Sequence, residues 1–333
     1  MRTCVLGAGS WGTALSLVLA RNGHSVALRG RDREEMEIIQ SRRENLKYLP
    51  GFALPPQVEV AHWDEPIADV DLWVLAVPSG GVRAGTERIP AAECTICIAS
   101  KGLESHTALR MSEIVQEARP RATCAVLSGP NLAVEIARGI PTAAVSASRS
   151  DAAAEQVRSV FMNRGLRIYV SSDVVGVELA GALKNVLAIG AGMSDGLGFG
   201  DNTKGALLAR GLCEMARLGV AAGADLETFL GIAGVGDLFA TAHSTLSRNY
   251  RVGAALGSGR TLSEALSDVG QVAEGVATAD CAMKLSQRYG VSTPVFEATD
   301  LVLRGRLDPR RAVELLMERT PQREGVLGKA CTP

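Results

Sequence analysis

A short apolar strand that runs straight into three spaced glycines constrains this chain more than any other feature. Residues 1–12 read Met-Arg-Thr-Cys-Val-Leu-Gly-Ala-Gly-Ser-Trp-Gly, and an apolar helical pattern follows over 13–22. In that strand–turn–helix setting each glycine of G-x-G-x-x-G has a task. Gly7 allows the tight turn, Gly9 lets backbone N–H groups approach a pyrophosphate, and Gly12 lets the helix lie close to the strand. The helix N-terminus adds unpaired N–H groups and a partial positive charge. The predicted ligand is a dinucleotide. Glycine is frequent here, 36 of 333 residues, so the motif by itself says little; its context, with a second strand over 24–28, carries the reading. The same stretch superficially resembles a secretory signal, because Arg2 precedes a mostly apolar run over 4–20. Gly7, Gly9, Ser10 and Gly12 weaken that run, and a strand pattern resumes after Asn22-Gly23, which argues for a folded element instead.

The length, 333 residues, suits about two domains. Lysine plus arginine total 35 and aspartate plus glutamate 36, so there is no global basic field for nucleic acid or an anionic membrane. No apolar run reaches the roughly 18 residues that suggest a membrane span. Seven cysteines are scattered at 4, 94, 97, 124, 213, 281 and 331, an odd count that suits reduced thiols in a cytoplasm. Cys94 and Cys97 have C-x-x-C spacing, but strand alternation points them to opposite faces and no second Cys/His pair lies nearby. His24, His62, His106 and His243 are too dispersed to form a metal cluster, and no metal is expected.

The first half alternates strands and helices. Strands are predicted over 3–6, 25–28, 58–60, 72–76, 95–99, 124–127, 142–146 and 166–169, with helices over 33–42, 109–118 and 152–161 among them. That alternation implies an α/β, doubly wound and mostly parallel sheet with helices on both faces. After 171–173 the pattern turns helical. A long apolar helix starts after Asp173, a plausible N-cap, and others are predicted over 204–218, 225–229, 248–256, 262–266, 277–289, 298–302 and 310–318. The expected division is a dinucleotide-binding Rossmann-like domain over 1–172 and an all-helical domain over 173–333, with function in the cleft between them.

At the end of the second strand stands Leu28-Arg29-Gly30-Arg31-Asp32. An acidic residue there would favour ribose hydroxyls, whereas arginines accommodate a 2′-phosphate. Arg29 and Arg31 predict that NADP(H) is accepted as well as NAD(H), while Asp32 can serve a ribose or cap the next helix. Ala76-Val77-Pro78-Ser79 and Ser100-Lys101-Gly102 close the fourth and fifth strands, where ligands of parallel sheets lie. Ser128-Gly129-Pro130-Asn131 closes another, with Pro130 suited to the first turn of the following helix. In the long helix, Lys184 and Asn185 interrupt an apolar surface. A ketone that gains hydride at carbon develops negative charge on oxygen, and a lysine ammonium can stabilise that charge and donate the proton. Gly231-Ile-Ala-Gly-Val-Gly-Asp237 offers one carboxylate after a glycine-rich element, and Ser247-Arg248-Asn249 offers a planar fork with flanking donors for phosphate, or else a plain helix N-cap.

Together, GAGSWGTALS, AVPS, ASKGLE, SGPNLAVEIARGIPTA, ELAGALKNVLAIGAGMSDGLGFGDNTKGALLARGLCEM, GIAGVGDLFAT, SRN and VAEGV resemble the NAD(P)-dependent glycerol-3-phosphate dehydrogenases of bacterial type, in order from Gly7 to Val276. The resemblance implies reversible reduction of dihydroxyacetone phosphate to sn-glycerol 3-phosphate, an oxidoreductase step that supplies phospholipid synthesis. It implies Lys184 as proton donor and acceptor, with Asp237 binding substrate hydroxyls and orienting the lysine. It implies Lys101, Gly129 and Asn131 at the substrate, and Ser247, Arg248 and Asn249 at its phosphate. Ser10, Trp11, Arg31, Lys101, Ala133, Arg248, Val272 and Glu274 are implied cofactor contacts beside Gly7, Gly9 and Gly12. The chain departs from the family at Asn131, where Ser or Thr is common, and at Gly80-Gly81, where Gln is common and a looser loop is expected. Residues 239–246 also lack a frequent cysteine, and His243 is given no role. Alternatives are a β-hydroxyacid or keto-acid dehydrogenase of the same architecture, and a nicotinamide-binding sensor without catalysis. The helical half leaves a homodimer open.

Overall fold

The computed structural model describes residues 1–320; Cys331 and the last 13 residues of the expected helical domain lie outside them. Contacts divide the chain into two units, one formed by Met1–Lys101 with Leu109–Val174, the other by Gly102–Ala108 with the chain from Val175 onward.

In the first unit the order is β1 (Arg2–Leu6), α1 (Ser10–Arg21), β2 (Ser25–Gly30), α2 (Arg33–Arg42), β3 (Glu44–Asn45), β4 (Leu49–Ala53), β5 (Val58–His62) and β6 (Leu72–Leu75). It continues through α3 (Val82–Glu87), β7 (Thr95–Ile98), α4 (Met111–Ala118), β8 (Thr123–Ser128), α5 (Ala133–Arg138), β9 (Thr142–Ala147), α6 (Asp151–Phe161) and β10 (Leu166–Ser171). All eight predicted strands are present and join in one sheet, ordered β10-β9-β8-β7-β6-β1-β2-β5. The segment that mimicked a secretory signal is β1 and α1, both largely buried. β1 pairs in parallel with β2 on one side and β6 on the other. The chain winds outward from β1 and then returns to it, so the strand order reverses between β1 and β6, where a Rossmann-like sheet opens a crevice at its carboxyl edge.

The other strands are mutually parallel, while β9 and β10, parallel to each other, run the opposite way, so that β9 pairs antiparallel with β8. The six-residue α5 is about 9 Å long, too short to carry the chain back along a strand of roughly 20 Å, so β9 starts from the same edge at which β8 ends. α1 packs on α5 and α6, while α3 packs on α4. The β3–β4 hairpin was not predicted.

The second unit holds α7 (Val174–Gly196), α8 (Asp201–Ala221), α9 (Leu226–Leu230), α10 (Asp237–Ala242), α11 (Arg248–Gly257), α12 (Leu262–Val269), α13 (Glu274–Tyr289), α14 (Pro294–Leu303) and α15 (Pro309–Glu318). No strand follows Ser171 among the described residues. α7 is long and apolar enough to cross a membrane by length and composition, a possibility that short apolar runs in the sequence did not suggest. Its most apolar window is 94% buried inside the fold, which marks it as the core helix of the bundle. Leu183, Val186, Leu187 and Ile189 pack there with Phe229, Val252 and Phe296. The excursion Gly102–Ala108 belongs to this unit because α13 holds it: Lys284 Nζ donates to the Ser105 carbonyl at 2.6 Å and Arg288 to that of Thr107 at 3.1 Å.

Candidate active site

The first unit carries the glycine-rich turn. Gly7 has φ +117°, and a Cβ there would sit 2.5 Å from the Ala76 carbonyl oxygen, so the turn lies hard against the end of β6. A Cβ on Gly12 would collide with the Gly7 carbonyl, which lets α1 start directly on the turn. Gly9 differs: a Cβ there would meet no protein atom within 4 Å. Gly9 is also the N-cap of α1 and supplies no side-chain cap, leaving the first-turn N–H groups, beginning at Ser10, without a side-chain acceptor. Open space in front of an uncapped helix N-terminus fits a dinucleotide pyrophosphate. Trp11 is fixed by its indole N–H, which donates to the Ala99 carbonyl at 3.1 Å.

At the end of β2 the two arginines part company. Arg29 lies within the strand, on a covered face; its side chain is 2% exposed and paired with Glu59 at 2.5 Å. It is therefore not a surface cation, and the expectation that it joins Arg31 at a 2′-phosphate is corrected by its burial and its pairing with Glu59. Arg31 is exposed. Asp32 caps α2, its carboxylate accepting from the Glu35 N–H at 3.0 Å, which commits it to the helix.

At the ends of β6, β7 and β8, Ser100 Oγ donates to the Val77 carbonyl at 2.6 Å, tying two strand ends together. The Ser79–Gly81 loop closes into a tight 3₁₀ turn, with the Gly81 N–H on the Pro78 carbonyl at 2.7 Å. Lys101 Nζ donates to the Gly129 carbonyl at 2.8 Å. The Asn131 carboxamide is enclosed, yet among the described residues neither its oxygen nor its nitrogen has a hydrogen-bond partner, nor has Ser128 Oγ. Unpaired buried polar atoms of this kind are costly unless a ligand completes them. Pro130 is not in a helical first turn: α5 begins at Ala133, and Pro130 instead offers its carbonyl to the Thr142 hydroxyl at 3.1 Å.

The second unit holds the other chemistry-bearing residues. Lys184 is not a snorkelling surface lysine. Its side chain is 7% exposed, and Nζ donates to Asp237 Oδ1 at 2.5 Å and to Thr241 Oγ1 at 2.6 Å. Asp237, 1% exposed, starts α10 directly after a π-helical turn over Ile232–Gly236. Thr241 lies one helical turn on, and its hydroxyl donates to the Asp237 carbonyl at 2.7 Å. The carboxylate provides the counter-charge that a buried ammonium requires. Thr241 was given no role from sequence; its i, i+4 spacing from Asp237 on one helix was the available signal.

Ser247 is the N-cap of α11, its hydroxyl oxygen accepting from the Tyr250 N–H at 3.2 Å. Asn249 is buried and bridges α7 and α13: its amide donates to Asn185 Oδ1 at 2.9 Å, and its oxygen accepts from the Gly275 N–H at 2.9 Å. Arg248, between them, makes no hydrogen bond through its guanidinium to the described residues. Burial pushes that group below its usual range, and the Glu274 carboxylate offsets part of the effect. Glu274 opens α13, and Val272 is exposed just before it. His243 stacks on Phe239, away from this cluster's hydrogen bonds.

The chain matches the family described as NAD-dependent glycerol-3-phosphate dehydrogenase in both of its parts, the N-terminus over residues 2–154 and the C-terminus over 173–314. The chain belongs to this family. It is 45% identical over 326 residues to the glycerol-3-phosphate dehydrogenase [NAD(P)+] of Desulfitobacterium hafniense, covering 97% of this chain and 93% of that one. It is 46% identical over 328 residues to the protein of the same name from Thermoanaerobacter sp., covering 97% and 99%. Among solved structures, glycerol-3-phosphate dehydrogenase from Coxiella burnetii superposes with a TM-score of 0.91 at 36% identity, covering 96% of this chain and 99% of that one. Members of this family are NAD(P)-dependent oxidoreductases, and the resemblance read from the motifs holds over nearly the whole length.

Proposed function

We propose that this protein catalyses the reversible reduction of dihydroxyacetone phosphate to sn-glycerol 3-phosphate with NADPH or NADH, in the cytoplasm, at the step that supplies the backbone of glycerophospholipids. The observation that carries the reading is the buried Lys184–Asp237–Thr241 cluster in the same helical unit as the guanidinium of Arg248, which makes no hydrogen bond among the described residues. A buried cation beside a carboxylate suits proton transfer at a carbonyl, and a second cation whose hydrogen-bond donors are open suits a dianion.

Residues 1–172, apart from the Gly102–Ala108 excursion, serve as the dinucleotide-binding domain and 173–333 as the substrate-binding and catalytic domain. Gly7, Gly9, Gly12, Ser10 and Trp11 hold the cofactor pyrophosphate. Arg31 meets a 2′-phosphate, and Ala133, Val272 and Glu274 complete the cofactor contacts. The nicotinamide, when bound, supplies the hydride. Lys184 gives its proton to the ketone oxygen as charge develops there, and in the reverse direction takes it back from the alcohol. Asp237 orients the ammonium and binds a substrate hydroxyl, while Lys101, Gly129 and Asn131 contact the substrate from the strand ends. Ser247, Arg248 and the remaining amide hydrogen of Asn249 hold the phosphate. The enclosed carboxamide of Asn131, with no hydrogen-bond partner among the described residues, supports a ligand contact, and the helix-capping use of Asp32 beside an exposed Arg31 supports acceptance of NADPH.

The test is oxidation of NADPH and NADH with dihydroxyacetone phosphate, compared with unphosphorylated dihydroxyacetone and with 2-keto acids. Turnover that depends on the phosphate is expected. Turnover of a keto acid without turnover of the phosphorylated ketone would overturn the assignment.

A further inference from the structure

Asp195, Lys204 and Tyr250 form a cluster that the reaction does not use. Asp195 Oδ2, near the end of α7, accepts from Lys204 Nζ of α8 at 2.8 Å and from the Tyr250 hydroxyl of α11 at 2.7 Å. Lys204 is buried, with a side-chain exposure of 10%. Burial pushes the Asp195 carboxyl up, but the hydrogen bonds from Lys204 and Tyr250 outweigh it and hold the group below its usual range. One ionised carboxylate thus joins three helices.

The place where α11 meets α7 makes this junction mechanically specific. A Cβ on Gly192 would collide with the Tyr250 carbonyl, and one on Gly196 with that of Ala254. From the other side, a Cβ on Gly253 would collide with the Ile189 carbonyl, and one on Gly257 with that of Met193. The two helices therefore touch backbone to backbone over two turns, with no side chain between them to yield, so α11 cannot slide along α7 without steric collision. The first turn of α11 is then fastened residue by residue. Ser247 is bound to the Tyr250 N–H, Asn249 reaches Asn185 beside the catalytic lysine candidate, and Tyr250 reaches Asp195 ten residues further along the same helix. Those two anchors pull in opposite directions along about 15 Å of α7. Arg248 lies between Ser247 and Asn249, directly before both anchors, and is the one residue of the turn whose side chain makes no hydrogen bond among the described residues.

We propose that Tyr250, Asp195 and Lys204 are positioning residues that fix the backbone of Arg248, so that its guanidinium is presented to the substrate phosphate in one orientation. The inference rests on reading Arg248 as a phosphate ligand. Preorganising a cation lowers the ordering cost of binding the dianion without altering proton transfer at Lys184. The loss should therefore fall on KM rather than on kcat.

The experiment uses Tyr250→Phe and Lys204→Met, with Lys204→Arg as a charge-retaining rescue. It reads kcat and KM for dihydroxyacetone phosphate, the inhibition constant of inorganic phosphate against that substrate, and the thermal midpoint. In the first two variants KM and the phosphate inhibition constant should rise together, about five- to tenfold, with kcat within about twofold of wild type. Lys204→Arg should restore most of the loss. A lowered thermal midpoint with both constants unmoved would reduce the cluster to a structural brace, and a fall in kcat at constant KM would equally overturn the proposal. If the wild-type protein does not turn over dihydroxyacetone phosphate, the functional assignment has failed; calorimetric binding of inorganic phosphate to wild type and Tyr250→Phe then decides the positioning role by itself.

Discussion

Asp237→Asn isolates the electrostatic core of the site, because it keeps the shape of the side chain and removes its charge. In the wild-type protein the ammonium of Lys184 and the carboxylate of Asp237 are 2.5 Å apart at side-chain exposures of 7% and 1%. Removing one partner of such a buried pair typically costs about 3–5 kcal/mol, since the remaining charge is left in a medium that solvates it poorly. The asparagine oxygen can still accept from Nζ, and Thr241 Oγ1 at 2.6 Å still accepts as well. The expected loss is therefore at the lower end, about 3 kcal/mol near neutral pH. With the counter-charge gone, the neutral amine is favoured relative to the wild-type protein, so the lysine sheds its proton at lower pH. The destabilisation should shrink as pH rises, and activity in the reduction direction, which needs the ammonium as donor, should fall away at lower pH than in wild type. If most of the 3 kcal/mol is expressed in the transition state, kcat drops about 100-fold. Denaturant unfolding at pH 6.5 and 9, with kcat for dihydroxyacetone phosphate across the same range, measures both. A variant within threefold of wild-type kcat and with an unchanged unfolding midpoint would show that the pair is neither a stability element nor a catalytic one.

Further outcomes follow from other residues. Thr241→Val removes one acceptor from Nζ while keeping the β-branched shape, and should lower kcat about tenfold with little change in the KM for either cofactor, as read by steady-state kinetics. Arg31→Glu should weaken NADPH at least about 30-fold while changing NADH severalfold at most, measured as the ratio of kcat/KM values; equal effects would remove Arg31 from 2′-phosphate recognition. Burial pushes the Glu214 carboxyl up to about 7, although the Val295 and Phe296 N–H groups at the start of α14 partly oppose this. The folded pKa then exceeds the unfolded one, so the folded protein holds the proton longer and stability falls as pH rises from about 4.5 to about 7. Glu214→Gln should remove that decline and be about 1–3 kcal/mol more stable than wild type at pH 8, by denaturant unfolding.

Much of the fold was legible because its signals are local. Strands such as 72–75 and 95–98 are short apolar runs between turn residues, as sheet strands buried on both faces must be. The β3–β4 hairpin escaped because β3 is only the polar pair Glu44–Asn45 and β4 carries Pro50 and Gly51, and what they pair with is each other. The reversal of β9 depends on how far the chain travels in α5, a length that sequence patterns place poorly. At the proposed site, Lys184 and Asp237 stand out in the sequence because a charge in an apolar or glycine-rich setting is conspicuous, and Arg248 because donors flank it on both sides. Arg29 misled for the complementary reason: its charge suggested solvent, while its side chain is buried along β2 and reaches the exposed carboxylate of Glu59. The glycine spacings 192/196 and 253/257 are visible in the chain, but nothing local says that they face each other across two helices.

Lys184→Ala gives the most direct measurement, with NADPH oxidation by dihydroxyacetone phosphate followed alongside NADPH binding by fluorescence. If Lys184 is the proton donor, the variant binds NADPH within about twofold of wild type while kcat falls by about 10³ or more. A variant that keeps a tenth or more of the wild-type kcat would show that the proton comes from another group and that the buried cluster around Asp237 is structural.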